Sequence, residues 1–161
     1  MLILILGLLL FLGVHSTRIV AEDWRQARLA AWGEGAWKGL YTLVSLAGFA
    51  LIIWGYGLAR QQPTVLWPVP PTGLRHVAAR LTLVAFVLLA AAYVPRNSIK
   101  ARLRHPMILG VKVWAFSHLL VNNTLADLLV FGGFLLWAVF SFRAAKARDR
   151  VAGQAAARGA G

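Results

Sequence analysis

A chain of 161 residues has room for one domain, and a composition of 60% hydrophobic and only 14% charged residues excludes an ordinary soluble protein. The absence of cysteine excludes disulfides, iron–sulfur clusters and zinc sites built on thiolates. The formal net charge of +12 is not arranged as a basic patch interleaved with aromatic residues, so nucleic acid is not an expected partner.

Five apolar stretches follow one another along the chain and predict a membrane helix bundle. The second, third and fifth are long enough to cross a hydrocarbon core of about 30 Å as helices. The first reaches that length only with the residues up to Val20, and the fourth only if it includes Lys112 and His118. A signal peptide is the alternative for the first stretch, but no basic residue precedes it, so we expect a retained helix. The five stretches are Leu2–Val14, Gly39–Ala59, Val77–Val94, Met107–Val121 and Leu125–Phe142.

The placement of charge predicts the orientation of this bundle. Thirteen of the 17 Lys and Arg residues lie in Arg18–Lys38, Arg96–Arg104 and Arg143–Arg158, whereas Asn122–Thr124 carries no charge. Five spans with the N-terminus outside put all three basic segments in the cytoplasm, as the positive-inside rule requires, and four spans would break this pattern. We therefore expect an all-α polytopic membrane helix bundle with five transmembrane helices. Its C-terminus would be cytoplasmic, and its partner would be the lipid bilayer.

Two connections and the C-terminal segment have their own patterns. The connection Ala21–Trp37 starts with acids and sets tryptophans beside basic residues, which predicts a short helix at the head-group level; a role in binding is the alternative. Arg60–Thr72 contains four prolines and predicts an extended external loop. Residues 1–148 are thus predicted to form the transmembrane domain, and 149–161 a disordered cytoplasmic tail.

Two histidines in apolar stretches are the main candidate site residues, because ionisable groups are costly in a bilayer and imidazole binds haem iron. His118 lies thirteen residues after His105, or about 20 Å along a helix, and the two point about 140° apart. One small metal ion is therefore not expected to bind both. Helix tilt could instead bring His15 and His118 to opposite faces of one haem. An interhelical hydrogen bond is the alternative role for each histidine.

Other polar residues in the spans have less specific roles. Lys112 points away from the His118 face, and we expect it to snorkel towards the head groups; a contact with a substrate or a haem propionate is the alternative. Asn122 shares the His118 face and is placed to bond its imidazole. Asp127 and Arg80 are predicted to pair, because opposite charges make each other tolerable in a bundle.

Several motifs together resemble the NnrU family. They are His15-Ser16 at the end of the first helix, Arg104-His105-Pro106 with Gly110, Lys112-x-Trp114, and Ser117-His118-Leu119. The resemblance covers about Met1 to Arg148 and includes the five-helix layout. The family is named for an association with nitrite and nitric oxide metabolism in denitrifying bacteria.

The NnrU family is in turn similar to plant zeta-carotene isomerase, an integral membrane haem b protein that isomerises a cis double bond. By motif position, the ligand histidines of that enzyme match His15 and His118. The resemblance therefore implies haem b as a cofactor, with these two residues as ligands of its iron. The cysteine near the second histidine of that enzyme falls on Ala115 here, so chemistry through its thiolate is not implied.

A second resemblance concerns Arg104-His105-Pro106 alone. This triplet resembles the start of the cofactor site in membrane isoprenylcysteine and phospholipid methyltransferases. Those proteins add a pair of glutamates near a later helix end, but no Glu follows Glu34 in this chain. No two carboxylates share a span, and neither a phosphate-binding glycine loop nor an H-E-x-x-H motif occurs.

The leading hypothesis is a b-type haem between His15 and His118, with His105, Lys112 and Asn122 as contributors. It would serve isomerisation of a lipid-soluble substrate, or a step in nitrite or nitric oxide metabolism with a respiratory-chain partner. A non-catalytic accessory or assembly subunit, whose histidines only join helices, is the alternative. A membrane methyltransferase is a third hypothesis, and no catalytic residue is assigned.

Overall fold

The computed structural model describes residues 1–159, and all the regular elements within that range are helices. The five predicted apolar stretches form α1, α4, α5, α7 and α8, while three short helices lie in the connections. In chain order the helices are α1 (Leu2–His15), α2 (Thr17–Val20), α3 (Glu22–Trp32), α4 (Glu34–Ala59), α5 (Thr72–Tyr93), α6 (Ser98–Leu103), α7 (Pro106–Val121) and α8 (Leu125–Gly159).

The surface of the long helices is that of a membrane protein. Helices α4, α5 and α8 are long and apolar enough to cross a bilayer, whereas α1 and α7 are apolar but shorter. Only 17–22% of the residues in the most apolar parts of the three long helices are buried inside the protein. Large side chains such as Leu43 and Leu83 are 68% and 66% exposed. Lipid must cover such a surface, so the predicted membrane helix bundle is confirmed at this level.

Helices α1 and α4 run antiparallel with their backbones in direct contact. Leu4 lies against Gly55 and Phe11 against Gly48, while Gly7 lies against the backbone at Ile52. A Cβ atom at Gly48 would come within 2.7 Å of the Phe11 backbone nitrogen, and one at Gly7 within 2.6 Å of the Ile52 nitrogen. Small residues allow such close approach, which drives helix association where lipid removes the hydrophobic effect. The glycines therefore fix the α1–α4 pair.

The remaining apolar helices complete a row in the order α4, α1, α8, α7, α5. Helices α5 and α7 are antiparallel, with Gly110 against Ala85 and Ser117 near Thr82. Helix α8 packs antiparallel to α7, and parallel to α1, where Leu12 contacts Gly133. The direction of the five apolar helices therefore alternates along the chain, as it must for successive membrane crossings.

The proline-rich connection between α4 and α5 is extended and bound to the turn before α8. Val65 forms an antiparallel bridge with Thr124. The Leu66 amide donates to the Asn123 carbonyl at 2.8 Å, and the Leu125 amide donates to the Thr64 carbonyl at 2.8 Å. The predicted extended loop is thus confirmed, and these bonds hold both connections at one end of the bundle.

The predicted pair of Asp127 and Arg80 is wrong. Asp127 is 5% exposed and accepts hydrogen bonds from the hydroxyls of Tyr56 and Thr124, both at 2.5 Å. Arg80 is exposed instead. Two neutral donors at the positive N-terminal end of α8 satisfy the carboxylate, so it needs no cation in the bundle. The contact also joins the end of α4 to the start of α8.

Helix α8 continues beyond its apolar stretch as far as Gly159, because its alanine-rich continuation has high helix propensity. Asp149, the first residue of the predicted disordered tail, bonds the His105 side chain, so the ordered contacts extend past residue 148. Residues 150–159 are helical and exposed, and their disorder in solution stays a prediction. Residues 160 and 161 of that tail lie outside the described range.

Replacing Gly48 with leucine should separate α1 from α4, because its side chain would meet the Phe11 backbone. Overpacking of this kind costs about 1–3 kcal/mol. Gly57→Leu is the matched control, since a Cβ atom there has no neighbour within 4 Å. Thermal unfolding of the detergent-purified variants should show a lower midpoint for Gly48→Leu only. Equal midpoints would contradict the glycine contact.

Replacing Tyr56 with phenylalanine removes one donor from the buried Asp127 carboxylate. We expect a loss of about 1–3 kcal/mol in the free energy of unfolding, which is the usual cost of an unmade buried hydrogen bond. Tyr93→Phe makes the same chemical change at a residue that is 75% exposed and should leave stability unchanged. Denaturant titration of both variants measures the difference. A Tyr56→Phe protein as stable as the control would show that Asp127 does not depend on this bond.

Candidate functional site

His15 is the last residue of α1, in a turn whose carbonyl groups are free to accept side-chain bonds. Its Nδ1 donates to the Phe11 carbonyl at 2.6 Å, while Ser16 and Thr17 hydroxyls bond the carbonyls of Leu12 and Val14. Because a carbonyl only accepts, Nδ1 carries the proton. The Nε2 atom of a neutral ring then keeps its lone pair, which is the state that can bind a metal.

Three helices hold the His15 ring in place. Phe11 stacks on it with the centroids 4.2 Å apart, and Tyr41 of α4 lies at 5.2 Å. Trp137 of α8 meets the ring edge-on at 6.1 Å and donates from Nε1 to the His15 carbonyl at 3.2 Å. The orientation of His15 therefore depends on the packing of α1, α4 and α8 together.

His15 faces a cavity of about 400 Å³, which we call the His15 cavity. This volume is within the range of small-molecule sites, and its wall combines aromatic and basic side chains. The cavity lies where α1 ends, beside the start of α4 and the part of α8 that follows its apolar stretch. It is lined by His15, Thr17, Arg18, Ile19, Arg25, Leu29, Glu34, Trp37, Lys38, Tyr41, Ile108, Trp137, Ser141 and Arg148.

Positive charge is concentrated in this wall. Arg18, Arg25 and Arg148 converge there, and Arg148 is half-buried. Burial, together with the charge of Arg18, lowers the pKa of Arg148 from its ordinary value. The guanidinium still stays charged at neutral pH, because arginine does not lose its proton in proteins. The cavity can therefore attract and hold an anionic group.

The carboxylates near the His15 cavity already have partners. Glu22 accepts from Arg25 at 3.1 Å, and Glu34 pairs with Lys38 at 2.6 Å. No salt bridge among the described residues involves Arg18 or Arg148, although the negative charge of Glu22 acts on Arg148 and opposes the lowering of its pKa. The balance in the cavity wall therefore favours a ligand with carboxylate or phosphate groups.

His118 is arranged like His15 but faces a different cavity. Its Nδ1 donates to the Trp114 carbonyl at 2.9 Å, and its ring stacks on Phe131 at 4.7 Å. The His118 cavity, between α5 and α7, has a volume of about 320 Å³. Its polar wall includes Arg75 and the hydroxyls of Thr82 and Ser117, which lie 3.1 Å apart. Both histidines thus have the tautomer of a ligand, but they do not share a cavity.

Aromatic side chains fill the space between the two histidines. Phe11, which stacks on His15, lies 5.6 Å from Phe134, and Phe134 lies 5.7 Å from Trp114, the neighbour of His118. On α8, the contacts of the two histidines are six residues apart, or about 9 Å along the axis. As packed, His15 and His118 line different cavities and do not face each other across a shared one.

The other predicted contributors lie outside both cavities. His105 caps the start of α7, and its Nε2 lies 2.9 Å from an Asp149 carboxylate oxygen. The ammonium of Lys112 lies 5.9 Å from the centre of the Phe142 ring, near the end of the apolar part of α8. Asn122 donates to the backbone carbonyl of His118, not to its imidazole. Within residues 1–159, no cluster of three or more His, Asp or Glu residues could hold a metal ion.

Sequence reasoning missed most of the His15 cavity wall. Arg18, Arg25 and Arg148 were interpreted as topology signals, which they resemble because they flank apolar stretches. Tyr41 and Trp137 lie inside apolar stretches where aromatic residues are common, so no pattern marks them. The three arginines lie on two separate segments of the chain, and the parallel packing of α1 and α8 brings them together at one cavity. Their occurrence on both segments was the useful signal in the sequence.

Comparison with known proteins gives one positive finding. The family model described as NnrU protein matches residues 3–161, which is nearly the whole chain. No curated protein and no solved structure matches. The match extends over all eight helices, including the ones that carry His15 and His118, and it agrees with the resemblance seen in the motifs. The chain therefore belongs to the NnrU family.

Proposed function

We propose that this membrane protein uses the His15 cavity to bind a planar, amphipathic ligand that carries carboxylates. A b-type haem is the ligand of this class that the family resemblance implies. The observation that carries the proposal is the combination of a ligand-competent His15 with converging arginines in one cavity of about 400 Å³. His15 alone, without His118, is the iron ligand in this proposal.

Each part of the cavity has a role in such binding. The Phe11 carbonyl holds the His15 ring through Nδ1, as backbone carbonyls do for metal-bound histidines, and this leaves Nε2 for the ligand. Tyr41 and Trp137 line the cavity beside the imidazole and supply apolar aromatic contacts. Arg18 and Arg148 would bind the carboxylates by charge-assisted hydrogen bonds. When bound, haem supplies one-electron chemistry.

The proposed activity is redox-linked chemistry at this site. Isomerisation of a lipid-soluble substrate and a step associated with nitrite or nitric oxide metabolism are the two forms that the resemblance implies. The aromatic side chains Trp37, Tyr41 and Trp137 in the wall support the first form, because they offer apolar contacts to such a substrate.

Titration of the detergent-purified protein with haem tests the ligand assignment. The wild type should give a saturable Soret shift at one haem per chain. His15→Ala should weaken binding by at least about tenfold, since losing even an outer-shell partner of a metal ligand costs that much. His118→Ala is the matched control and should bind within about twofold of the wild type. Unchanged binding in His15→Ala, or equal loss in both variants, would overturn the assignment of His15 alone.

A non-catalytic accessory subunit is the second candidate function. One observation favours it: both histidines bond carbonyls of their own helices and pack against rings of neighbouring helices, which is what structural histidines do. A wild-type protein that gives no Soret shift with excess haem would support this candidate. His15→Ala and His118→Ala would then lower the thermal midpoint without changing any spectrum.

We also propose that α1, α4, α5, α7 and α8 all cross a bacterial inner membrane, with the N-terminus outside. The alternating directions of the five helices support this topology. The connections that contain Arg18–Lys38 and Arg96–Arg104 lie at one end of the bundle. The uncharged turn Asn122–Thr124 lies at the other end, bound to the proline-rich loop. The positive-inside rule then assigns the basic end to the cytoplasm.

Single cysteines in this naturally cysteine-free chain test the topology. Gln62→Cys, in the exposed proline-rich loop, should react in intact cells with a maleimide that cannot cross the inner membrane. Ala101→Cys, exposed on α6, should react only after the membrane is permeabilised. Labelling of Ala101→Cys in intact cells, with Gln62→Cys protected, would reverse the orientation. Labelling of both positions from one side would rule out an odd number of crossings between them.

A further inference from the structure

A second basic cavity lies where α8 leaves its apolar stretch. This part of α8 forms the wall of an open recess of about 910 Å³ together with α6 and the turn before α7. We call it the basic recess. It shares no lining residue with the His15 cavity. The basic recess is lined by Arg102, Arg104, Phe142, Arg143, Lys146, Asp149 and Arg150.

The charges of the basic recess are far from balanced. Five of its lining side chains are cationic, and Asp149 is the single carboxylate among them. Asp149 is already shared, because it lies 2.9 Å from His105 Nε2 and 3.8 Å from Arg104. The hydrogen bond to His105, helped by the charge of Arg104, lowers the pKa of Asp149 and keeps it ionised. One carboxylate cannot neutralise five cations, so the recess attracts a further anion.

The position of the recess matches the boundary of the membrane. Phe142 is the last residue of the apolar stretch of α8, and Arg143 follows it directly. The ammonium groups of Lys112 and Lys146 both lie against the Phe142 ring, at 5.9 and 5.5 Å from its centre. An apolar floor with cations above it is the environment of a lipid head group at the interface.

Arg104 lines the recess from an unusual backbone conformation. Arg104 has φ 61° and ψ −44°, a conformation that residues other than glycine rarely adopt. It ends α6 and turns the chain into α7 while its side chain lines the recess. Arg96, outside the recess, also has a positive φ of 52°, so the place of the Arg104 side chain in the wall, and not its backbone angle, carries the argument.

We propose that the basic recess binds the head group of an anionic phospholipid. The phosphate oxygens would accept from Arg102, Arg104 and Lys146, because guanidinium groups bind phosphate through two parallel hydrogen bonds and ammonium groups through charge. The acyl chains would continue beside Phe142 along the apolar part of α8. Basic pockets at the end of a helix bundle are known sites for such lipids. This proposal does not depend on haem binding or on which side of the membrane the recess faces.

Native mass spectrometry of the detergent-purified full chain tests the proposal. Phosphatidylglycerol and phosphatidylcholine with the same acyl chains are the probes, and inorganic phosphate is added in a separate arm. The variant Arg104→Gln with Lys146→Gln removes two charges from the recess. The control variant, Arg96→Gln with Arg158→Gln, removes two charges from exposed positions outside it. Thermal unfolding of each variant shows whether it is folded.

We expect the wild type to bind phosphatidylglycerol in preference to phosphatidylcholine. The recess variant should bind it at least about tenfold more weakly, since each basic side chain near anionic lipid contributes several-fold. The control variant should stay within about twofold of the wild type. Equal loss in the two variants would mean non-specific attraction by net charge and would overturn the proposal. Displacement of the lipid by millimolar inorganic phosphate would also overturn it, in favour of a site for free phosphate.

Discussion

The contact of α1 with α4 is the constraint on which the surroundings of His15 depend. Lipid is as apolar as leucine, so α1 gains nothing by leaving it unless its atoms pack closely against another helix. Gly7, Gly48 and Gly55 allow that packing, because at each of them a Cβ atom would overlap the partner backbone. With α1 only 14 residues long, this contact sets its depth. It thereby sets where His15 lies against α8.

The glycine contact and the Asp127 contact stabilise the same group of helices in different ways. The first brings α1 to α4 over much of its length, whereas the second joins α4 to α8 at one end through the Tyr56 hydroxyl. Helix α1 is held between these two neighbours, so its last turn has little freedom. The His15 ring can therefore keep contacts with Tyr41 and Trp137 at the same time.

The helices could be predicted from sequence, but their neighbours could not. Apolar composition over about 20 residues is a local property, so all five stretches were found, four of them within about five residues of the observed helix ends. The exception is the end of α8, which continues past Phe142 to Gly159 because its alanine-rich continuation is helical without being apolar. Which helices pair closely depends on which small residues meet a partner backbone: Gly7, Gly48 and Gly55 do so, whereas Gly132 and Gly133 meet only leucine side chains. Likewise, the opposite charges of Asp127 and Arg80 suggested an ion pair. Nothing local in the sequence revealed that two hydroxyls satisfy Asp127 instead.

The candidate site, like the fold, could be predicted from sequence only in part. Helical geometry alone predicts that one metal ion does not bind both His105 and His118, and the structure places His105 at Asp149 and His118 on Phe131. Depth along a helix cannot reveal what fills the space between two helices, so the aromatic rings that separate His15 from His118 were unpredictable. The resemblance to a haem protein supplied the pair, whereas the packing places the two histidines at separate cavities.

The extension of α8 past the apolar stretch gives the basic segments a role beyond topology. Arg148 lines the His15 cavity, while Lys146 and Asp149 line the basic recess, so neighbouring residues of one helix serve two cavities. Residues at successive positions of a helix point about 100° apart, which is how a single helix can form a wall of both. The positive-inside rule requires only that cations lie at this end. The rule does not require these cations to converge. Because they converge on the His15 cavity and on the basic recess, each of these two cavities is a candidate site for an anionic ligand.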